Sequence, residues 1–549
     1  MPGFPGITLR FPSNVSSRMR PRERLLLTGI LTISVALRFW GLAFGVPHSE
    51  TRPDETTTVV TAIGLLYAGL NPHFFHWPSL EFYVVSAIYR LGWEIGHLRG
   101  LYRLKFDMYK DAAVRITPFL MVPRVLSATA GVVTIWLVYR LVDRLFDRLT
   151  ALTAAFFIAV AFLHVRDSHF GVTDVPMTAL VVGALCSLSL VFEDPKRIRS
   201  WIVAGVLAGL AASTKYNGGV VAASAVAVAT WLATRGDAAI RRATIRGLSA
   251  FTGSALVAFL AGTPYALLDA PHFLEGFRFD INHLGQGHQV ILGPGWIYHL
   301  KYSLWYGLGA PLLISGLAGM CLLMAKFRKQ AALICAFPFL YYAIAGRGLT
   351  VFVRYMTPMT PFLCMAAAFF IVWSVRQLMK PEHVSVVVGI AAAAIALPSL
   401  QRSIAFNSVM TRTDTRVLAA EWASAHVRTQ ESIGQIPPVL IYENFGMTRP
   451  ANLVTFDINR KAFVSASGGA VVPDVLIVPT SPLDTYTVTA NELAAIANRE
   501  YVREATIAAT HGMEMSSWFD QQDLFFVPFT NFTMRDRPGP EIQIFRRRR

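Results

Sequence analysis

Cysteine is scarce in this chain, and so is charge. The four cysteines, Cys186, Cys321, Cys335 and Cys364, all fall inside apolar stretches and show no metal-ligand spacing. That excludes a disulfide framework and a cysteine-based metal site. Charged residues make up only 15% of 549 positions, while 54% are hydrophobic. That balance excludes an ordinary soluble domain and a disordered chain. No internal repeat is evident, and no convincing small-residue cleavage site follows the first apolar run. Acidic residues are outnumbered by basic ones, leaving a formal net charge of +16. The excess sits in short clusters between apolar runs, a pattern of cytoplasmic loops rather than of a nucleic-acid face.

What is present is a series of apolar segments of membrane-spanning length. They cover 25–46, 120–142, 150–165, 174–192, 201–216, 217–234, 247–268, 301–325, 331–346, 354–375 and 383–400. The basic clusters are Arg140/Arg144/Arg148, Lys196/Arg197/Arg199, Arg235/Arg241/Arg242/Arg246, Lys326/Arg328/Lys329 and Arg376/Lys380. All fall on one side if the N-terminus is cytoplasmic and segment 79–98 does not cross. That segment carries Glu81, Arg90, Glu94 and His97, so it reads as an amphipathic helix on the outer surface. Segment 55–70 is a second candidate surface helix. The expectation is a mainly α polytopic protein of about eleven transmembrane helices. It divides into a basic cytoplasmic N-terminus (1–24), a transmembrane region (25–400) and an extracytoplasmic soluble α/β domain (401–549). In the last, Asp414–Val427 reads as a helix. Pro438–Tyr442, Val475–Val478 and Glu541–Phe545 read as strands, and Leu493–Arg499 as helical. The terminal Arg546–Arg549 reads as a solvated or headgroup-facing basic tail.

The residues that could carry chemistry collect at the predicted outer face. Arg52-Pro53-Asp54-Glu55 places two carboxylates where a helix opens; they suit capping, a general base or a metal ligand. In His73-Phe74-Phe75-His76-Trp77-Pro78, His76 suits phosphate or metal binding, and the aromatics suit interfacial anchoring. Arg166 to Asp174 is a short external turn rich in ionisable groups, with Asp174 at the mouth of the next helix. Lys215-Tyr216 and Arg354-Tyr355 supply cations that snorkel or meet an oxyanion. Loop 269–300 contributes histidines without a recognisable ligand pattern.

With those motifs in order, the chain resembles the polytopic GT-C glycosyltransferases, in the branch of protein mannosyltransferases and lipid A aminoarabinose transferases. The resemblance spans residues 25 to about 400. It rests on Arg52–Glu55, His76-Trp77-Pro78-Ser79-Leu80, Pro123-Arg124-Val125-Leu126-Ser127, Arg166–Asp174, Ser213–Gly218, and Arg354–Pro358 with Pro361. It departs from the family in having Trp77 where a first proline is common. The resemblance implies a sugar donor on a polyprenyl phosphate and a protein, lipid or glycan acceptor, with transfer at the outer face of the cytoplasmic membrane. It makes Asp54 the base or metal-coordinating acid, with Glu55 and Asp174 the other acidic residues. His76, Arg166, Lys215, Tyr216, Arg354 and Tyr355 become substrate-binding. A divalent metal (Mg, Mn or Zn) on Asp54, Glu55 and His76 is the one cofactor left open. A transporter or flippase for a polar lipid is the alternative; transporters often show paired repeats and interrupted helices near mid-membrane, whereas this sequence shows no clear internal repeat and its polar residues cluster at one face.

Overall fold

The structure, a computed structural model, describes residues 19–437, 452–457, 459–465, 467–487, 496–497, 499–512 and 517–548. The strand expected at 438–442, most of the helix expected at 493–499, and Arg549 lie outside the described residues. The chain is predominantly helical, with one sheet near its C-terminal end.

Among the described residues, the first eleven α-helices run in chain order to Gly262. They are α1 (Pro21–Phe39), α2 (Pro53–Tyr67), α3 (Leu80–Leu98), α4 (Lys105–Val114), α5 (Thr117–Leu145), α6 (Arg148–Val160), α7 (Phe162–Asp167), α8 (Asp174–Val191), α9 (Ile198–Thr214), α10 (Ala222–Arg235) and α11 (Ala238–Gly262). Among the described residues, six helices are long and apolar enough to cross a membrane, and a bent pair makes up to seven. Arg148–Val160, Ile198–Thr214 and Ala336–Ala345 are shorter apolar helices. The bundle core is formed by α5, α6 and α8 with helix Thr360–Leu378, whose inward residues are buried.

Small residues set how closely the helices approach, as expected where lipid tails give no hydrophobic drive between them. Gly205 and Gly209 of α9 lie against the backbone of α11. A Cβ on Gly209 would sit 2.1 Å from the Ala255 carbonyl oxygen. Gly319 meets the Ala366 carbonyl at 2.0 Å by the same measure. Polar N-caps start helices where the chain leaves the bundle: the Asp147 carboxylate accepts from the Leu149 and Thr150 amides, and Asp237 from Ile240.

One expectation needs correction. The span expected at 301–325 is not one rod. Gly295–Leu308 and Ala310–Lys326 meet at 115°. Gly309 takes φ +80 there, a left-handed conformation that favours glycine, and Pro311 opens the second rod. The ionisable side chains of the 166–173 turn are drawn into the protein: Arg166, Asp167, Ser168 and His169 are all buried. The stretch 47–118 holds α2, α3 and α4, and much of 269–300 is the helix Ala270–Gln286. The last long apolar helix, Pro381–Met410, continues past Leu400.

The sheet contains β1 (Ile433–Gln435), β2 (Leu453–Asp457), β3 (Ala462–Val464), β4 (Val475–Thr480), β5 (Tyr501–Ile507) and β6 (Glu541–Arg547), in the order β3-β2-β1-β4-β6-β5. β1 is parallel to β2 and β4; the remaining pairs are antiparallel. Alternation sends Val475, Ile477, Ile542 and Ile544 against helix Thr415–His426, and Leu476, Val478 and Phe545 into a second core on the other face. Between β5 and β6 the chain leaves the sheet, and residues 517–530 reach into the helical bundle.

Candidate active site

Pro53 opens α2, so Asp54 and Glu55 are its first carboxylates. Successive helical residues point about 100° apart, and the two side chains have different surroundings. Glu55 is fully buried. The Arg124 Nε donates to both its oxygens at 3.1 Å, and Nη2 to Oε2 at 2.6 Å. The Gly171 amide donates to Oε1 at 2.7 Å. Arg124 Nη1 donates to the Leu42 and Phe44 carbonyls, and its guanidinium lies 3.8 Å from the centre of the Phe44 ring. Gly171 is needed for this approach, since a Cβ there would be 2.8 Å from Pro123. Glu55 therefore ties the first loop to α5 and to the 168–173 turn, and lies outside the cavity.

Asp54 faces the other way. Its side chain is 35% exposed and meets Arg354 Nη2 at 3.0 Å. Both line a cavity of about 660 Å³ that also receives His76, Asp174, Lys215, Tyr216, Tyr355 and Asp280. Lys215 sits at the extended break after α9 and donates to Asp174 Oδ1 at 2.6 Å. Asp174 is only 2% exposed, so this carboxylate is pinned. The Lys215 ammonium also lies 5.0 Å from the Tyr355 ring centre. Tyr216 donates to the Phe75 carbonyl and packs on Phe277. His76 stacks on Phe279 at 4.0 Å, Phe279 stacks on His283, and His283 meets His288 edge-on. Burial lowers the basicity of all three imidazoles; at His288 the Arg354 charge adds to it.

Asp54, Glu55 and His76 do not fit a divalent metal. Glu55 spends its oxygens on Arg124 and Gly171, and Asp54 faces Arg354. Among the described residues no group of three or more His, Cys, Asp or Glu is placed to hold a metal ion.

The segment 517–530 supplies residues that sequence reasoning missed. Asp523 accepts from Arg354 Nη1 at 3.2 Å and Arg166 Nη2 at 3.4 Å, and forms a short pair with Arg52. Gln522 accepts from the Val351 amide at 2.6 Å and donates to the Val290 and Leu349 carbonyls. Asp520 accepts from the Val353 amide at 2.8 Å. Burial alone would raise the Asp523 carboxyl, but Arg52, Arg354 and Arg166 hold it well below the carboxylate range. Asp520 is pushed up to about 6 by burial, with the Asp523 charge adding to it. Arg166 lies outside the cavity wall and reaches the site only through Asp523 and its neighbour Asp167. No motif marks the 517–530 segment; its one sequence signal is two carboxylates in an aromatic stretch.

A sequence profile for dolichyl-phosphate-mannose-protein mannosyltransferases matches residues 120–266. No curated protein sequence matches the chain. Among solved structures, ArnT from Cupriavidus metallidurans, bound to undecaprenyl phosphate, is similar with TM-score 0.55 and 13% identity, over 88% of this chain and 96% of that one. The oligosaccharyltransferase AglB from Archaeoglobus fulgidus, in complex with an inhibitory peptide and a dolichol-phosphate, is similar with TM-score 0.51 and 13% identity, over 89% of this chain and 73% of that one. An apo oligosaccharyltransferase from the same organism has TM-score 0.50 and 15% identity; 74% of this chain is covered, and it spans only 58% of that protein's length. The chain is a polytopic membrane protein with the GT-C glycosyltransferase fold, carrying the mannosyltransferase profile over residues 120–266.

Proposed function

We propose that this chain is an inverting glycosyltransferase that moves a sugar from a polyprenyl-phosphate-linked donor to an acceptor hydroxyl, with Asp54 as the base. One observation carries this reading: a single cavity is lined by an accessible carboxylate, Asp54, and by two cations, Lys215 and Arg354. A hydroxyl is a poor nucleophile until its proton is taken. Asp54 accepts that proton as the acceptor oxygen attacks the anomeric carbon. The bond from that carbon to the phosphate oxygen breaks, and the polyprenyl phosphate leaves with the electron pair. Arg354 and Lys215 stabilise the charge that develops on it.

Between Asp54 and Asp174, exposure favours Asp54. Asp174 is buried and held by Lys215, so its role is to orient that ammonium. Tyr355 and Tyr216 shape the wall beside it, and His76 presents an imidazole to the same space. Glu55, bound to Arg124, holds the loop that presents Asp54. The sugar-phosphate bond is cleaved at the outer face of the cytoplasmic membrane, with the N-terminus cytoplasmic and the C-terminal sheet outside; the basic clusters between apolar segments support that orientation. The acceptor belongs to the alcohols of proteins, lipids or glycans.

The test is Asp54→Asn in purified protein supplied with a polyprenyl-phosphate-linked sugar. Transfer is lost while donor binding persists. Transfer at the wild-type rate removes Asp54 from the mechanism.

A further inference from the structure

The cavity wall carries Arg52, Lys215 and Arg354 against Asp54, Asp174, Asp280 and Asp523, with the Arg166–Asp167 pair behind Asp523. A lipid phosphate entering this space would meet more carboxylates than cations, and a buried excess of negative charge is costly. One carboxylate has to give way. Asp54, Asp167, Asp174 and Asp280 sit on helices that precede the sheet. Asp523 alone arrives from elsewhere, on a segment between two strands of the C-terminal sheet.

The hydrogen bonds point to the same residue. Three guanidinium groups converge on the single Asp523 carboxylate, which is fewer acceptors than they can use. Arg52 is buried, and its Nε and Nη2 have no hydrogen-bond partner. Buried unsatisfied donors carry a penalty that a larger oxyanion would remove. The phosphodiester of the sugar donor offers two free oxygens and the terminal phosphate of the released lipid offers three, and arginine suits both anions geometrically. Arg52, Arg354 and Asp523 line the cavity beside Asp54, and Arg166 stands behind Asp523, so the Asp523 carboxylate separates the converging donors from the space where the donor lipid would bind.

We infer that the Asp523 carboxylate is a built-in stand-in for the phosphate of the donor lipid. Polyprenyl phosphate takes its place among Arg52, Arg166 and Arg354, and binding releases the 517–530 strap from the cavity mouth. The inference rests on the glycosyl-transfer reading and adds a gate to it. Beside Asp523, Gln522 lines the cavity, bonded to Val351, Val290 and Leu349, and Tyr486 donates to the Gln522 carbonyl at 2.8 Å. The donor therefore has to compete with the chain's own anion. The alternative is that Asp523 is a permanent clamp that aims Arg354; that role predicts the opposite effect when its charge is removed.

The test uses the full chain in nanodiscs with undecaprenyl phosphate as the probe, and farnesol as a control for the phosphate-free lipid. In the wild type, hydrogen exchange of the 517–530 amides rises when undecaprenyl phosphate is added and is unmoved by farnesol. Asp523→Asn binds undecaprenyl phosphate about tenfold more tightly, because the competing closed state is depopulated. Slower exchange in the wild type on adding the phosphate, or weaker or unchanged binding by the variant, overturns the gate and leaves the glycosyl-transfer reading standing. Failure of both proteins to bind undecaprenyl phosphate overturns that reading, and the gate with it. The exchange measurement needs no variant, so poor folding of Asp523→Asn does not blunt the test.

Discussion

Replacing Glu55 by Gln removes one charge from a place no water reaches. Arg124 and Glu55 are both fully buried, joined by three hydrogen bonds from the guanidinium. After the change Arg124 keeps the Leu42 and Phe44 carbonyls and the face of Phe44, but loses the counter-charge of Glu55. The new amide can still accept one bond, yet its NH2 group opposes donors. Breaking a buried pair from one side costs about 3–5 kcal/mol. Asp54→Asn is the matched control one residue away. Asp54 is part-exposed, and its partner Arg354 retains Asp523, so the stability change should be about 1 kcal/mol or less. The activity order reverses: loss of a positioned base costs about 10²–10⁴ in rate. The assays are the unfolding midpoint of detergent-purified protein and the initial rate of transfer from a polyprenyl-phosphate sugar. Asp54→Asn should be stable and slow, and Glu55→Gln unstable, with residual rate per folded molecule. A Glu55→Gln protein that unfolds like the wild type but transfers nothing would refute the assignment of structure to one carboxylate and chemistry to the other.

Lys215→Met leaves Asp174 buried without its ammonium, so stability should fall by about 3 kcal/mol and donor binding should weaken; unaltered affinity would remove Lys215 from the phosphate site. Gly319→Ala drives a methyl to within 2.0 Å of the Ala366 carbonyl, and the helices must separate at a cost of about 1–3 kcal/mol, read as a lower unfolding midpoint with the sugar-transfer rate per folded molecule preserved. The Asp520 carboxyl, raised to about 6 when docked, binds a proton more tightly in the docked strap than in the released one. Its contribution is present at low pH and lost as pH rises through about 6. Amide exchange in 517–530, corrected for intrinsic rate, should therefore be slower at pH 5 than at pH 7.5, and Asp520→Asn should abolish the difference.

How much of this is readable from the sequence depends on the range of the contact. Helices in the apolar segments and the strands expected at 475–478 and 541–545 follow from local periodicity; the helices are found among the described residues, and the strands as 475–480 and 541–547. Arg52–Glu55 stands out as a motif because proline and two carboxylates are adjacent. Adjacency, however, hides the difference between Asp54 and Glu55, which arises from a rotation of about 100° and from what lies at each azimuth. Arg124 is part of a recognisable motif, but its service to Glu55 depends on packing across α2 and α5. Asp523 is the extreme case, since its partner Arg52 lies 471 residues away. Nothing local distinguishes it from any loop aspartate. The bend at Gly309 was within reach of a local reading, because glycine followed shortly by proline breaks a helix.

The strap also has a consequence for how the protein comes to exist. A chain made from its N-terminus places its apolar helices in the membrane long before residue 523 is synthesised. Until then Arg52, Arg166 and Arg354 share a cavity mouth with one carboxylate too few. Insertion into the bilayer and completion of the site are thus separate events in time. A chain stopped in the sheet would be a fully inserted protein with an unbalanced, unguarded cluster of arginines.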